Sequence, residues 1–246
     1  MLSKAQIKYI QSLQNKKNRQ KSSQYIAEGD KIVQELLQAG MPVKVVYATK
    51  DWLEAHANLL SRLPADSVKE VDGAVLKQLS ALTTPHNAMA LLDMPRAEVQ
   101  LPQPGTVVLA LEAIQDPGNM GTLIRIADWF GIPQIVCSPD CVDVYNPKTI
   151  QATMGSIARV GISEYDIKEL LQHTSLPSYA ATLHGKDITT YPVIREGIIL
   201  IGNEGRGLTS DITDMATHRI TIPRLGGAES LNAAVAAGII CGRLLI

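Results

Sequence analysis

Residues 106–112 read TVVLALE, a near-continuous apolar run without the polar-apolar alternation of a half-exposed strand. A strand of this kind is buried on both faces, which requires helices on each side of it and a mostly parallel sheet. Apolar runs at 134–137, 179–183, 198–201 and 219–222 repeat the pattern, separated by helix-compatible stretches. The second part of the chain is therefore expected to be an α/β domain. It closes with a helix over 231–246, whose Ala233, Ala234, Ala236, Ala237 and Gly238 let another helix approach closely. Such a face suits a core or a subunit contact equally.

The first part has its own alternating pattern. Ser3 is placed to cap a helix in which Ile7, Ile10 and Leu13 recur at helical spacing, leaving Lys4, Lys8 and Lys16 to solvent. A short strand at 25–27 follows, then a helix from Asp30 to Ala39 that Gly40 ends, and a strand at 43–48. A helix over 51–62, a strand near 67–71, a helix near 73–80 and a strand at 88–92 complete a small α/β domain, residues 1–92. Residues 93–105 contain Pro95, Pro102, Pro104 and Gly105 with no apolar period, which marks a linker. The remaining domain is 106–246.

At 246 residues with 46% hydrophobic and 19% charged side chains, the chain is long enough for two modest folded domains and too apolar to be disordered. Its net charge of −1 conceals an asymmetry: residues 1–31 carry seven basic and two acidic groups, a net +5. A basic segment on an acidic body is compatible with contact to phosphates, although a solvated helix face is the plainer explanation of charge alone. The 4% aromatic content argues against base stacking as the main mode of nucleic-acid binding. Cys137, Cys141 and Cys241 match neither a disulfide framework nor a zinc pattern, so no metal is expected and a reducing cytoplasm fits best. No apolar run is long enough to span a membrane, and the N-terminus has no signal-peptide core.

Three loop-bearing segments hold the candidate chemistry. Residues 115–131, QDPGNMGTLIRIADWFG, follow a buried strand; Asn119 is placed to cap the next helix and Arg125 stands among apolar neighbours, where it needs a partner or an anionic ligand. Residues 200–208, LIGNEGRGL, run from a strand into a turn with Gly202, Gly205 and Gly207, so that a ligand could lie against bare backbone. Glu204, at its centre, could be a solvated carboxylate or a group that holds Arg125, Arg206 or a substrate hydroxyl. Residues 221–239 carry Ser230 as a helix cap and Asn232 in an otherwise apolar helix start. Neither the G-x-G-x-x-G dinucleotide fingerprint nor a P-loop occurs.

Together, N-x-G-x-x-x-R-x-A at 119–127, G-N-E-G-x-G-L at 202–208 and I-P-x-x-G-x-x-x-S-L-N at 222–232 resemble the three ordered motifs of the SpoU (TrmH-type) RNA ribose methyltransferases of the SPOUT superfamily. The likeness covers about 106–246, and residues 1–92 are more loosely similar to the small substrate-binding domain often fused to that family. The resemblance implies a mostly parallel α/β sheet with a C-terminal trefoil knot, a homodimer with sites at its interface, and S-adenosylmethionine as methyl donor. It implies a ribose 2′-hydroxyl as acceptor, in ribosomal RNA by preference over transfer RNA. A base methyltransferase, a non-catalytic RNA-binding relative and an unrelated small-molecule enzyme are the alternatives.

Carried over by position, Asn119, Arg125, Glu204, Ser230 and Asn232 are the catalytic candidates. Thr182, Leu183, His184, Gly185, Leu200, Gly202, Asn203, Ile222 and Leu231 are the donor-binding candidates. Lys16, Lys17, Arg19, Arg125, Arg206 and Arg224 are the RNA-binding candidates. Two positions depart from the family pattern: Arg224 stands where Met is common, and Ala233-Ala234 replaces the commoner Val-Ser.

Overall fold

The computed structural model describes residues 2–80, 82, 84–95 and 101–246. The expected linker at 93–105 thus falls partly on residues 96–100, which lie outside the described residues. The chain forms two compact units, one of residues 1–96 with 143–158 and one of residues 97–142 with 159–246.

The first unit runs α1 (Lys4–Ser12), α2 (Lys16–Ser22), β1 (Gln24–Glu28), α3 (Asp30–Gln38), β2 (Val43–Ala48), α4 (Lys50–Ala55), α5 (Ala57–Leu60), β3 (Val68–Glu70), α6 (Gly73–Leu79) and β4 (Ala88–Asp93). Its mixed sheet has the order β1-β4-β2-β3. Ser3 caps α1 in a reciprocal capping box with Gln6, and Ile10 and Leu13 enter a core with Tyr47, Leu76, Leu79 and Met89. Lys4, Lys8 and Lys16 remain exposed. The helix expected over 51–62 is two short helices, because the chain turns out of helical geometry at His56.

The second unit begins with β5 (Val107–Leu111), α7 (Pro117–Trp129) and β6 (Gln134–Cys137). The next helix, α8 (Pro147–Thr153), belongs to the first unit, although the expected boundary put it in the second domain. Residues 143–158 are drawn there by polar and ring contacts. Asp143 pairs with Arg19, Gln151 donates to the Glu28 carbonyl, and the Tyr145 ring lies 4.8 Å from that of Tyr25. The second unit then continues with β7 (Gly161–Glu164), α9 (Ile167–Gln172), β8 (Ser178–Asp187), β9 (Gly197–Ile201), α10 (Ser210–Met215), β10 (His218–Thr221) and α11 (Ala233–Leu245).

Six strands in the order β10-β8-β9-β5-β6-β7 form a sheet in which every pairing is parallel. Val108, Ala110, Ala180, Ile198 and Leu200 are buried in one cluster with Ile167, Leu170 and Ile212, and the alternate residues Leu109, Leu111 and Ile199 are buried too, so the apolar runs are covered on both faces. β7 has too little apolar character to stand out in the sequence. One irregularity positions the site. β10 pairs Arg219 with Ala180 but Ile220 with Lys186, so residues 181–185 of β8 leave the ladder. No described helix is long and apolar enough to cross a membrane.

Candidate active site

At the carboxyl ends of β8, β9 and β10 lies a cleft of about 680 Å³. In an open parallel sheet this is where ligands bind, because the strand ends release loops around a shared crevice. Two of its walls come from the glycine-bearing segments 200–208 and 221–239, and a third comes from β8. Thr182, Leu183 and His184 come from the part of β8 that leaves the ladder, Gly202 to Leu208 from the turn after β9, and Ile222 to Leu231 from the loop before α11.

The turn after β9 is closed by reciprocal backbone bonds between Asn203 and Gly207, 3.1 and 2.9 Å. Asn203 folds it further: its Oδ1 accepts from the N–H groups of Gly205 and Arg206, and its Nδ2 donates to the Ala113 carbonyl at 2.8 Å. A Cβ on Gly202 would overlap the Gly207–Leu208 backbone, so this close approach requires glycine. Gly185 is similar, since a Cβ there would overlap the backbone of Arg219 and Ile220.

A hydrogen-bonded chain ties the three motifs together. Glu204 accepts from Asn119 Nδ2 at 3.0 Å and from the backbone N–H groups of Asp116 at 3.1 Å and Gln115 at 3.3 Å. Asn119 Oδ1 in turn accepts from Asn232 Nδ2 at 2.8 Å. Asn232 Oδ1 accepts from the N–H groups of Ala234 and Val235, which makes Asn232 the cap of α11. Partial burial of Glu204 would raise its pKa. The converging donors, Asn119 first among them, outweigh that and hold the carboxyl below its usual range.

Several expectations change. Asp116, not Asn119, caps α7, and Asn232, not Ser230, caps α11. The two asparagines are thereby coupled, whereas Ser230 is exposed on the cleft wall. Glu204 holds Asn119 rather than Arg125 or Arg206. Arg125 lies exposed on the outer face of α7 and makes no hydrogen bond or ion pair among the described residues.

Among the donor-binding candidates, Thr182, Leu183, His184, Gly202, Asn203, Ile222 and Leu231 line the cleft. Leu200 does not, because its side chain is packed in the sheet core, and Gly185 lies behind the wall against the β10 backbone. Arg206 and Arg224 stand exposed on the cleft wall, and Lys16 and Lys17 are exposed on α2. Arg19 cannot face RNA: it is 1% exposed, pairs with Asp143, and donates to the carbonyls of Leu13 and Gln14 at 2.8 Å each. Gln115 and Asp116, whose backbone groups hold Glu204, were missed; a main-chain donor has no signature in side-chain identity.

Residues 106–242 match the SpoU rRNA methylase family and residues 4–90 match the MRM3-like substrate-binding domain. The chain belongs to the SpoU rRNA methylase family. It is 28% identical to the 23S rRNA (guanosine(2553)-2′-O)-methyltransferase RlmP of Bacillus subtilis, over 95% of this chain and 93% of that one. A TrmH-family RNA methyltransferase structure from Porphyromonas gingivalis superposes with a TM-score of 0.89 at 34% identity, covering 100% of this chain and 98% of that one. The AdoMet-bound rRNA methyltransferase of Sinorhizobium meliloti superposes with a TM-score of 0.87 at 28% identity, covering 99% and 95%.

Proposed function

We propose that this SpoU-family chain transfers a methyl group from S-adenosylmethionine to a ribose 2′-hydroxyl of ribosomal RNA. The observation that carries the reading is the chain Glu204–Asn119–Asn232 beside the glycine-walled cleft, which joins all three family motifs at one site. The cleft suits the donor in size, since small-molecule sites run to roughly 300–1,000 Å³. Its chemistry suits it as well: apolar Leu183, Ile222 and Leu231 offer a surface for the adenine ring, and the bare backbone around Gly202 offers polar contacts. Bound there, S-adenosylmethionine supplies a methyl group already activated by its sulfonium. The protein's task is then to align the acceptor and exclude water, and alignment can contribute up to roughly 7–11 kcal/mol.

The residues divide this work. Glu204 holds Asn119, and Asn119 holds Asn232, so the N-termini of α7 and α11 are fixed against the glycine turn. Ser230, with no hydrogen bond among the described residues, is free to bind the acceptor phosphate or ribose. Arg125 binds the phosphate next to the target ribose and shares the movement of the hydroxyl proton with it. A guanidinium stays protonated at neutral pH and so is a poor base on its own. Arg206 and Arg224 extend the cationic rim, and Lys16 and Lys17 supply phosphate contacts from a substrate-binding domain of residues 1–92.

We propose further that the second domain carries the family's trefoil knot. The tight crossings at Gly185 and Gly202 and the displaced pairing of β8 with β10 support it. A cytoplasmic homodimer completes the reading. Trp129 is 85% exposed, and Val235 and Ile239 are exposed on α11, which packs on α7. This apolar face lies beside Arg125, so pairing would place Arg125 at the subunit interface. Arg125→Ala is expected to leave S-adenosylmethionine affinity within about threefold of wild type while abolishing transfer; loss of both would overturn the role of Arg125.

A further inference from the structure

Glu112, the residue after β5, belongs to none of the three motifs and does not line the cleft, yet it is buried, with 8% of its surface exposed. Burying a carboxylate is unfavourable unless its oxygens are satisfied. Both are, and by one residue: Oε2 accepts from the Thr209 backbone N–H and Oε1 from the Thr209 hydroxyl, each at 2.8 Å. No ion pair neutralises Glu112 among the described residues.

Thr209 is the residue after the glycine turn of 202–208, so Glu112 anchors the far end of that turn. The near end is anchored by the next residue of the same strand end, because the Ala113 carbonyl accepts from Asn203 Nδ2 at 2.8 Å. Ala113 itself is held at φ +53 by donation of its N–H to Ser138 Oγ at 2.9 Å. A non-glycine residue in the left-handed region persists only where its surroundings fix it. Residues 112 and 113 therefore form a two-point clamp on the turn that walls the cleft.

We propose that Glu112 is a positioning residue for the methyl donor: it holds the 202–208 turn in the shape that the donor binds, without touching the donor. This rests on the reading of the cleft as the donor site. A turn pinned at one end only would sample other shapes, and donor affinity would fall by the fraction of chains lost from the competent shape. Glutamine has the shape to replace Glu112, since its amide oxygen accepts the Thr209 N–H while its amide nitrogen donates to the hydroxyl.

Calorimetric titration of the intact protein with S-adenosylmethionine, paired with steady-state transfer, tests this. Glu112→Ala is expected to raise the donor Kd and KM at least tenfold with kcat at saturating donor within about threefold. Glu112→Gln is expected within about threefold of wild type on all three. Thr209→Val, which keeps the backbone donor, is expected to fall between them, and it serves as the test if Glu112→Ala does not fold. Unchanged donor affinity in Glu112→Ala, or in Thr209→Val where that variant must stand in, would overturn the clamp. So would equal defects in Glu112→Ala and Glu112→Gln. Failure of the wild-type protein itself to bind the donor would overturn the cleft reading instead.

Discussion

Arg19 and Glu204 show how much the surroundings decide about a single charge. Arg19 sits among the basic residues of the N-terminal segment, yet it is buried against Asp143 and two carbonyls. Removing one member of a buried pair leaves the other charge uncompensated, at a cost of about 3–5 kcal/mol. Arg19→Ala is therefore expected to lower the denaturation midpoint of the protein markedly, whereas Lys17→Ala should leave stability within about 0.5 kcal/mol and weaken only RNA binding in a salt-dependent way. Glu204 makes the opposite point about pH. Its folded pKa is depressed, so its contribution to stability is present above the ordinary carboxylate pKa of about 4.3 and is lost as pH falls through the folded value. The stability difference between wild type and Glu204→Gln, measured by urea unfolding, should be constant from pH 7 to about pH 5 and shrink below it. A difference that grows on acidification would contradict the assignment. Residue identity made Glu204 visible as a candidate; its partners across the site were not legible, because two of them are backbone N–H groups and the Asn119 side chain lies 85 positions away in the chain.

At the scale of elements, spacing and apolar pattern revealed β5, β6, β9 and α1 because each buries a face that the sequence displays. It did not reveal β7, which pairs at the sheet edge and has only Ser163 fully buried. It also misassigned two helix caps, since several residues with suitable side chains stand close together at each site. Asn232 rather than Ser230 caps α11, and this predicts unequal consequences. Asn232→Ala should cost about 0.5–2 kcal/mol of stability through the lost cap, with donor transfer lost as well because Asn119 is released. Ser230→Ala should leave the melting temperature unchanged and reduce transfer alone. The glycine turn belongs to this scale too. Gly202→Ala must push the Gly207–Leu208 backbone out of place, so donor binding is expected to vanish in calorimetry even where the variant remains folded.

The whole molecule presents two units, and residues 143–158 fall in the first, although the sequence reading put them in the second domain. Those residues join the first unit through side chains that meet partners more than 120 positions earlier, a relation no local pattern carries. The exposed apolar face of Trp129, Val235 and Ile239 is a whole-molecule feature of a different kind, since a contiguous apolar patch marks a surface that a partner covers. Sedimentation is expected to give a mass near twice 26.6 kDa, and Trp129→Glu is expected to shift it toward the single chain with loss of transfer. Purified protein would be incubated with methyl-labelled S-adenosylmethionine and unmodified total RNA, and each RNA fraction digested to nucleosides. Label is expected in a 2′-O-methyl nucleoside from ribosomal RNA and is expected to vanish in Arg125→Ala. Label on a base, or donor binding without label in any RNA, would contradict the proposed reaction.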